Sequence, residues 1–336
     1  NNLMVKDKLK SRADDMMGSK IGGSQTIVSH DSQKVALTSP VFNEVFRRIQ
    51  SLLKSNVYLA SRKSKEDMDQ FLRDNLTEVL FKIFEIDVRQ CDKSQEELCY
   101  MLEMAVYAHV GLKMDFLQRW ETACLRKSIR AKGIRLVIDY QRSTGQAPTL
   151  LGNSVVCMVS QCDAYDYHLL NIIMAMFVGD DGGVKIAKDD VFDPVVGEQR
   201  MAEIYNLSVT TIVTEALTFC SGYVLCEPLY CGYMPDPWKR IERMATSVKV
   251  RDAVDKNGKK IDTFKELWIS FCDNMSSYSN EIALQALNKA LIRREFEMKG
   301  VVRPSAMPAL RAIAKLTQSY AEFRALYAAQ AEFWEA

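Results

Sequence analysis

Three aspartates at the ends of apolar runs are the residues of this sequence whose types and placement could do chemistry. Asp87 closes the run LFKIFEIDV after Leu80, Ile83, Phe84 and Ile86, and Asp180 and Asp181 close NIIMAMFVGDD. A carboxylate at the end of a run that should be buried is costly unless a cation compensates it. Carboxylate oxygens suit hard Mg²⁺ or Mn²⁺ rather than zinc. Two such ions, about 3.5–4 Å apart, would activate an attacking ribose hydroxyl and steady a leaving pyrophosphate. Taken alone, Gly179-Asp180-Asp181 reads more readily as an Asp-Gly hairpin turn than as a catalytic pair, so the surrounding residues decide.

The elements that must position these carboxylates are set by periodicity. LFKIFEIDV predicts a buried strand ending near Asp87. NIIMAMFVGDDGGV predicts a hairpin with the two acids at its tip. Helical spacing is expected from Pro40, after Thr38-Ser39, through VFNEVFRRIQSLLK, over Glu96–Trp120 and over Thr149–Gln161, with LVIDYQRSTG a second strand between the last two. The charged stretch Ser61–Asp69 reads as solvated surface. Pro235-Asp236-Pro237 marks a boundary, beyond which Phe264–Ala336 is helix-rich and broken at Pro304 and Pro308. The MLEM and IIMAMF runs read as core filler. At the start, Lys6, Lys8, Lys10 and Arg12 alternate, so an extended strand would place all four cations on one face, as a phosphate-binding ribbon or a solvated edge.

Composition narrows the class. The 336 residues are 48% hydrophobic, enough for a large core, and a net charge of +1 leaves any polyanion to be held by local patches. Nine cysteines, an odd number in so long a chain, suit a reducing compartment and read as thiols; the spacing of Cys157, Cys162, Cys220, Cys226 and Cys231 matches no zinc knuckle, and these five are expected to be buried. His30, His109 and His168 are isolated from one another. The opening Asn1-Asn2-Leu3-Met4 carries neither an initiator Met nor a targeting pattern, and a fragment of a longer polypeptide is expected.

With these segments in view, the sequence resembles the RNA-dependent RNA polymerases of positive-strand RNA viruses, within the alphavirus-like supergroup. FEIDVRQCDKSQ resembles motif A, with Asp87 and Asp92 in its D-x₄-D pattern; QRSTGQAPTLLGNS resembles motif B, through Thr144, Gly145, Thr149 and Asn153; FVGDDGG resembles motif C. FCSGYVL resembles the primer grip, motif E, with Cys220, Ser221 and Gly222 at its turn, and DPWKR the segment after it. NLMVKDKLK, SQTIVSHDSQK and SPVFNEVFRR resemble the fingers and their basic motif F.

The resemblance implies an α+β right-hand fold of fingers, palm and thumb, with an antiparallel palm sheet packed on helices. It implies fingers over 1–75, palm over 76–110, a fingers insertion over 111–140, palm again over 141–235 and a helical thumb over 236–336. Asp87 and Asp180 would be the main ligands of two Mg²⁺ or Mn²⁺ ions and Asp181 an auxiliary one. Asp92 and Asn153 would read the ribose 2′-hydroxyl, with Thr149 supporting Asn153 from one turn earlier and Gly145 allowing close approach of the templating base pair. Lys6, Lys8, Lys10 and Arg12 would hold triphosphate and template phosphates. The usual motif D lysine is absent: no Lys, Arg or His occurs from Met201 to Trp238, the slot near NLSVTTIV holds Thr210, and either Lys188 or Lys185 is the substitute general acid or the proton is delivered through water. Implied partners are template and nascent RNA, ribonucleoside triphosphates, capping and helicase domains of a replicase and, indirectly, host membranes; the implied location is the host cytoplasm, in membrane-associated replication complexes. The alternatives are a catalytically silent RNA-binding or assembly module with this fold, and a reverse transcriptase, which Asp92 and Asn153 disfavour. Without the resemblance, Asp92 with Lys93 caps and pairs at a helix start, and Asn153 and Lys188 are ordinary polar residues.

Overall fold

A computed structural model describes residues 2–5, 26–29, 32–76, 80–131, 134–143, 145–246, 253–254, 260–261 and 263–326. The elements run β1 (Asn2–Val5), β2 (Thr26–Ser29), α1 (Ser32–Leu52), β3 (Val57–Leu59), α2 (Lys65–Asp74) and β4 (Phe81–Val88). After these come α3 (Cys91–Ser94), α4 (Glu97–His109), α5 (Met114–Cys124), β5 (Arg126–Ala131), β6 (Ile134–Asp139), α6 (Thr149–Ala164), β7 (Ile172–Val178) and β8 (Asp181–Ala187). Next are α7 (Pro194–Tyr205), β9 (Val209–Thr214), β10 (Thr218–Phe219), β11 (Gly222–Glu227), β12 (Tyr230–Pro235) and α8 (Pro237–Thr246). The last are β13 (Ala253–Val254), β14 (Lys260–Ile261), α9 (Thr263–Asn274), α10 (Glu281–Lys299) and α11 (Met307–Gln318). The mixture is α+β, as expected. Two compact units are present, residues 1–62 with 86–212 and residues 63–85 with 213–336, so that β4 and β9 each pass from one to the other.

The first unit holds the strands that carry the aspartates. The sheet order is β3-β7-β8-β4-β9. β7 and β8 pair antiparallel, and Ala175, Met176 and Phe177 of β7 and Val184 and Ile186 of β8 are all but sealed from solvent, which explains the unbroken apolar run of β7; in β8 the run is interrupted by Lys185, itself 1% exposed. β3 adds at the edge, parallel to β7, a departure from a purely antiparallel sheet. α6 packs on β7 and β8 and buries Leu151, Val155, Val156 and Cys157. β6 ends at Asp139 and belongs to a separate sheet of order β2-β1-β5-β6, so LVIDYQRSTG is a strand only in its first half.

In the second unit, β10-β11-β12 form an antiparallel sheet whose Tyr223, Leu225 and Met234 share one core with Phe271, Met275, Tyr278, Leu287, Leu310 and Phe323 of the helices after it. Arg294 and Thr218 both bond to the Glu85 carboxylate, joining helix α10 to the strand system within this unit.

Three local expectations are corrected. α1 starts at Ser32 with Pro40 inside it, and the Thr38 and Ser39 hydroxyls, expected to mark a helix start, instead return to the Lys34 and Val35 carbonyls one turn back. The stretch Ser61–Asp69 is not simply solvated: Ser64 caps α2 in a capping box with Asp67, and the Asp69 carboxylate accepts the Tyr233 N–H at 2.6 Å. Glu96–Trp120 is two helices, α4 and α5, parted at Gly111.

Candidate active site

Strand alternation sets the first carboxylate. Ile86 and Val88 are buried to 1% exposure and Asp87 between them is exposed near the end of β4. Val88 N–H donates to the Asp180 carbonyl at 3.4 Å, bringing the end of β4 to the start of β8. In the hairpin, Val178 pairs with Asp181, so Gly179 and Asp180 form a two-residue turn, and Gly179 carries the positive φ of +59° that a type II′ turn requires at its first central position. The Gly179 N–H donates to Ser154 Oγ at 2.8 Å, and that hydroxyl donates to the Leu150 carbonyl at 2.7 Å. Helix α6 thereby holds the turn that carries Asp180. Asp180 is exposed and Asp181 half-buried.

The donor set is the right one for a hard divalent cation: three carboxylates, from one strand end and one adjoining turn, reachable from solvent. As they stand the side chains do not converge, and among the described residues no three His, Cys, Asp or Glu side chains form a ready metal cage.

Asp92, in the single-turn helix α3 that comes after Gln90 in the left-handed region, meets Asn153 of α6: Asn153 Nδ2 donates to Asp92 Oδ1 at 2.6 Å. Gln95 Nε2 donates to Asn153 Oδ1 at 2.9 Å, and Arg142 Nε donates to Gln95 Oε1 at 2.9 Å. Arg142 forms an ion pair with Glu103 in which the two side chains are 4% and 1% exposed, and Tyr107 Oη donates to Glu103 at 2.6 Å. Burial alone would depress the Arg142 guanidinium, but the Glu103 carboxylate outweighs it and holds Arg142 above its ordinary value. Burial, reinforced by the same carboxylate, pushes the Tyr107 phenol well up. A Cβ added at Gly152 would collide with Arg142 and Glu103, so only glycine admits this pair beside Asn153.

Sequence reasoning missed Gln95, Arg142, Glu103, Tyr107, Gly152 and Ser154 as working residues. The usable signal was Glu103, a lone acid among Cys99, Tyr100 and Tyr107 on the buried face of α4.

Other expected residues are placed elsewhere. Thr149 Oγ1 faces the Ser143 and Gln146 carbonyls at 2.9 Å each, closing the loop before α6, and Asn153 is held by Gln95 instead. Gly145 lies half-buried in that loop. Thr144 and the ribbon Lys6, Lys8, Lys10 and Arg12 lie outside the described residues. Lys185 is buried within β8, about 13 Å along the strand from Asp181 at about 3.3 Å per residue, and Lys188 is exposed just beyond the end of that strand. A cation does reach the motif D slot: Arg89 Nη2 donates to Thr210 Oγ1 at 2.8 Å.

Cys220 and Ser221 form the turn of the β10–β11 hairpin, both at positive φ, +50° and +59°, and a Cβ at Gly222 would strike the Tyr233 ring. Of the cysteines expected to be buried, Cys157 is, whereas Cys162 is exposed and Cys220, Cys226 and Cys231 are half-buried, because they lie at a turn and at the outer ends of strands. Cys157 lies 3.7 Å from Cys91, Sγ to Sγ; their hydrogen bond lowers the Cys91 thiol and raises that of Cys157.

Known proteins fit this arrangement. Residues 1–326 match the family model described as RNA dependent RNA polymerase. The replicase large subunit of Odontoglossum ringspot virus (isolate Korean Cy) is 27% identical over 292 residues, covering 86% of this chain and 17% of that protein. That of Pepper mild mottle virus (strain Spain) is 25% identical over 291 residues, with 86% and 17% covered. The chain thus spans about a sixth of the length of these curated relatives. Among solved structures, the RNA-dependent RNA polymerase of a human picorbirnavirus superposes with a TM-score of 0.60 at 11% identity, covering 88% of this chain and 57% of that one. At that identity the likeness shows the fold alone, the right-hand polymerase fold expected from the motifs. By the match along nearly its whole length, the chain belongs to the viral RNA-dependent RNA polymerase family.

Proposed function

We propose that the chain performs template-directed synthesis of RNA from ribonucleoside triphosphates on an RNA template, by two-metal phosphoryl transfer, in replicating and transcribing a positive-strand RNA virus genome. The observation that carries this reading is the assembly in one unit of Asp87 at a strand end, the Asp180–Asp181 hairpin hydrogen-bonded beside it, and the Asn153–Asp92 pair. Family membership implies divalent metal dependence in general. Asp87 and Asp180 would hold the cations with Asp181 auxiliary; when bound, they supply Lewis acidity at the transferred phosphate.

The chain's own residues do the rest. Ser154 and Gly179 hold the turn bearing Asp180, so the backbone that carries this carboxylate is fixed before the reaction and only its side chain has to turn toward a cation. Asp92 can accept from, and Asn153 donate to, a ribose 2′-hydroxyl, the group that separates RNA precursors from DNA precursors. Lys6, Lys8, Lys10 and Arg12 would bind triphosphate and template phosphates, Thr144 would serve nucleotide selection, Gly145 would let the backbone approach the templating base pair, and Cys220, Ser221 and Gly222 would steady the primer end. Other replicase domains, capping and helicase, would act as partners in membrane-associated complexes of the host cytoplasm.

The test is primer extension on homopolymer RNA templates with Mg²⁺ or Mn²⁺. Addition of the complementary ribonucleotide only, and poor addition of its 2′-deoxy analogue, is expected. RNA binding without addition under both metals points to a silent module, and preference for deoxynucleotides points to a reverse transcriptase.

A further inference from the structure

Arg142, Gln95, Asn153 and Asp92 form a chain of side-chain hydrogen bonds in which each member donates to the next, at 2.9, 2.9 and 2.6 Å. Its two ends have fixed polarity, since a guanidinium only donates and an ionised carboxylate only accepts. Between such ends each amide has one orientation that satisfies both neighbours. Turning the Gln95 amide over would set its NH₂ against Arg142; turning the Asn153 amide over would set its oxygen against the Asp92 carboxylate and its NH₂ against that of Gln95. The far end cannot shift to accommodate either, because Arg142 is ion-paired with Glu103, Glu103 is bonded by Tyr107, and both sit against Gly152, the residue before Asn153. Gln95 and Asn153 are 3% and 8% exposed, so water offers little substitute for a lost partner.

We propose that Gln95 and Arg142 are positioning residues for sugar selection: they lock the Asn153 carboxamide so that its nitrogen, not its oxygen, is presented with Asp92 to the ribose 2′-hydroxyl. The hydroxyl then accepts from Asn153 and donates to Asp92, whereas a 2′-deoxy sugar leaves both unanswered. This rests on the reading of Asn153 and Asp92 as the groups that meet the sugar. Gln95 itself touches no nucleotide; it acts through the direction it imposes on Asn153.

The experiment measures kcat/KM for single addition of a ribonucleotide and of its 2′-deoxy analogue opposite the same template base. The variants are Gln95→Leu, Gln95→Glu, Asn153→Ala and the double Gln95→Leu/Asn153→Ala. Gln95→Glu keeps the shape and the acceptor for Arg142 but removes the donor to Asn153, so it decides the matter should Gln95→Leu not fold. Loss of one hydrogen bond predicts a ribo-to-deoxy ratio lower by about threefold to tenfold in either Gln95 variant. Gln95→Leu should lower the ratio no further in the Asn153→Ala background. If Asn153→Ala lowers the ratio and the Gln95 variants do not, or if they slow both nucleotides in equal proportion, the positioning role is overturned. If Asn153→Ala leaves the ratio unchanged, the sugar-reading assignment of Asn153 fails, and the proposal with it.

Discussion

Asn153 donates to Asp92 across 2.6 Å, joining helix α6 to a single-turn helix 61 residues earlier in the chain. The same helix, one residue on, holds the turn of Asp180 through Ser154. The groups proposed to read the sugar and to bind the cations are thus referred to one helix, and the removal of either contact has its own measurable consequence.

Asn153→Asp would face two carboxylates across this contact. Both cannot ionise cheaply, so one folded-state pKa rises above its unfolded value. A carboxyl raised in this way destabilises the fold above its folded pKa, and the loss is recovered as pH falls toward the unfolded value of about 3.9. The thermal midpoint of the variant should therefore lie below the parent's at about pH 8 and approach it toward about pH 5. A gap independent of pH would mean the two groups are apart in solution.

Ser154→Ala leaves the buried Gly179 N–H without its acceptor. An unsatisfied buried donor costs about 1–3 kcal/mol, and nucleotide addition should fall more than thermal stability accounts for, because the loosened turn carries Asp180. Unchanged addition with the midpoint lowered would separate the turn from the chemistry.

Glu103→Gln removes the carboxylate from a nearly sealed Arg142. Breaking such a pair costs about 3–5 kcal/mol, since one charge stays buried and uncompensated. Glu281→Gln, at the exposed pair with Arg311, should change the midpoint little. Similar midpoint shifts for the two variants would show that water reaches Arg142.

The β10–β11 turn places Cys220 and Ser221 at positive φ, a region costing ordinary L-residues roughly 1–2 kcal/mol each. Cys220→Asn with Ser221→Gly supplies the residue pair such a type I′ turn favours and should raise the thermal midpoint. If it does so while lowering primer extension, the native pair is kept for contact with the primer end and not for stability.

The position of the three aspartates at strand ends and at the hairpin was legible because each ends an apolar run, and a run that must be buried makes an acid at its end conspicuous. Helix α6, β4 and the β7–β8 hairpin were legible for the same reason: their periodicity is local. The relay was not, because Gln95, Glu103 and Arg142 come from three segments whose neighbours look like helix filler and loop. Asp69 misled in the opposite direction. It lies in a charged stretch that reads as surface, and its role as acceptor for Tyr233 N–H depends on a residue 164 positions away. Pro40 misled because Thr38-Ser39-Pro40 has the composition of a helix start, while the two hydroxyls bond back into a helix already begun at Ser32.

Asp180 as a cation ligand is tested by primer extension with Asp180→Asn beside the parent, on a homopolymer RNA template with Mg²⁺, together with the thermal midpoint of each with and without the ion. Asp180 ligation of a catalytic cation predicts loss of nucleotide addition, a midpoint in metal-free buffer no lower than the parent's, and a smaller rise when Mg²⁺ is added. Addition at a rate comparable to the parent's, with an equal rise on adding Mg²⁺, would contradict the assignment and move the metal site away from the Asp180 turn.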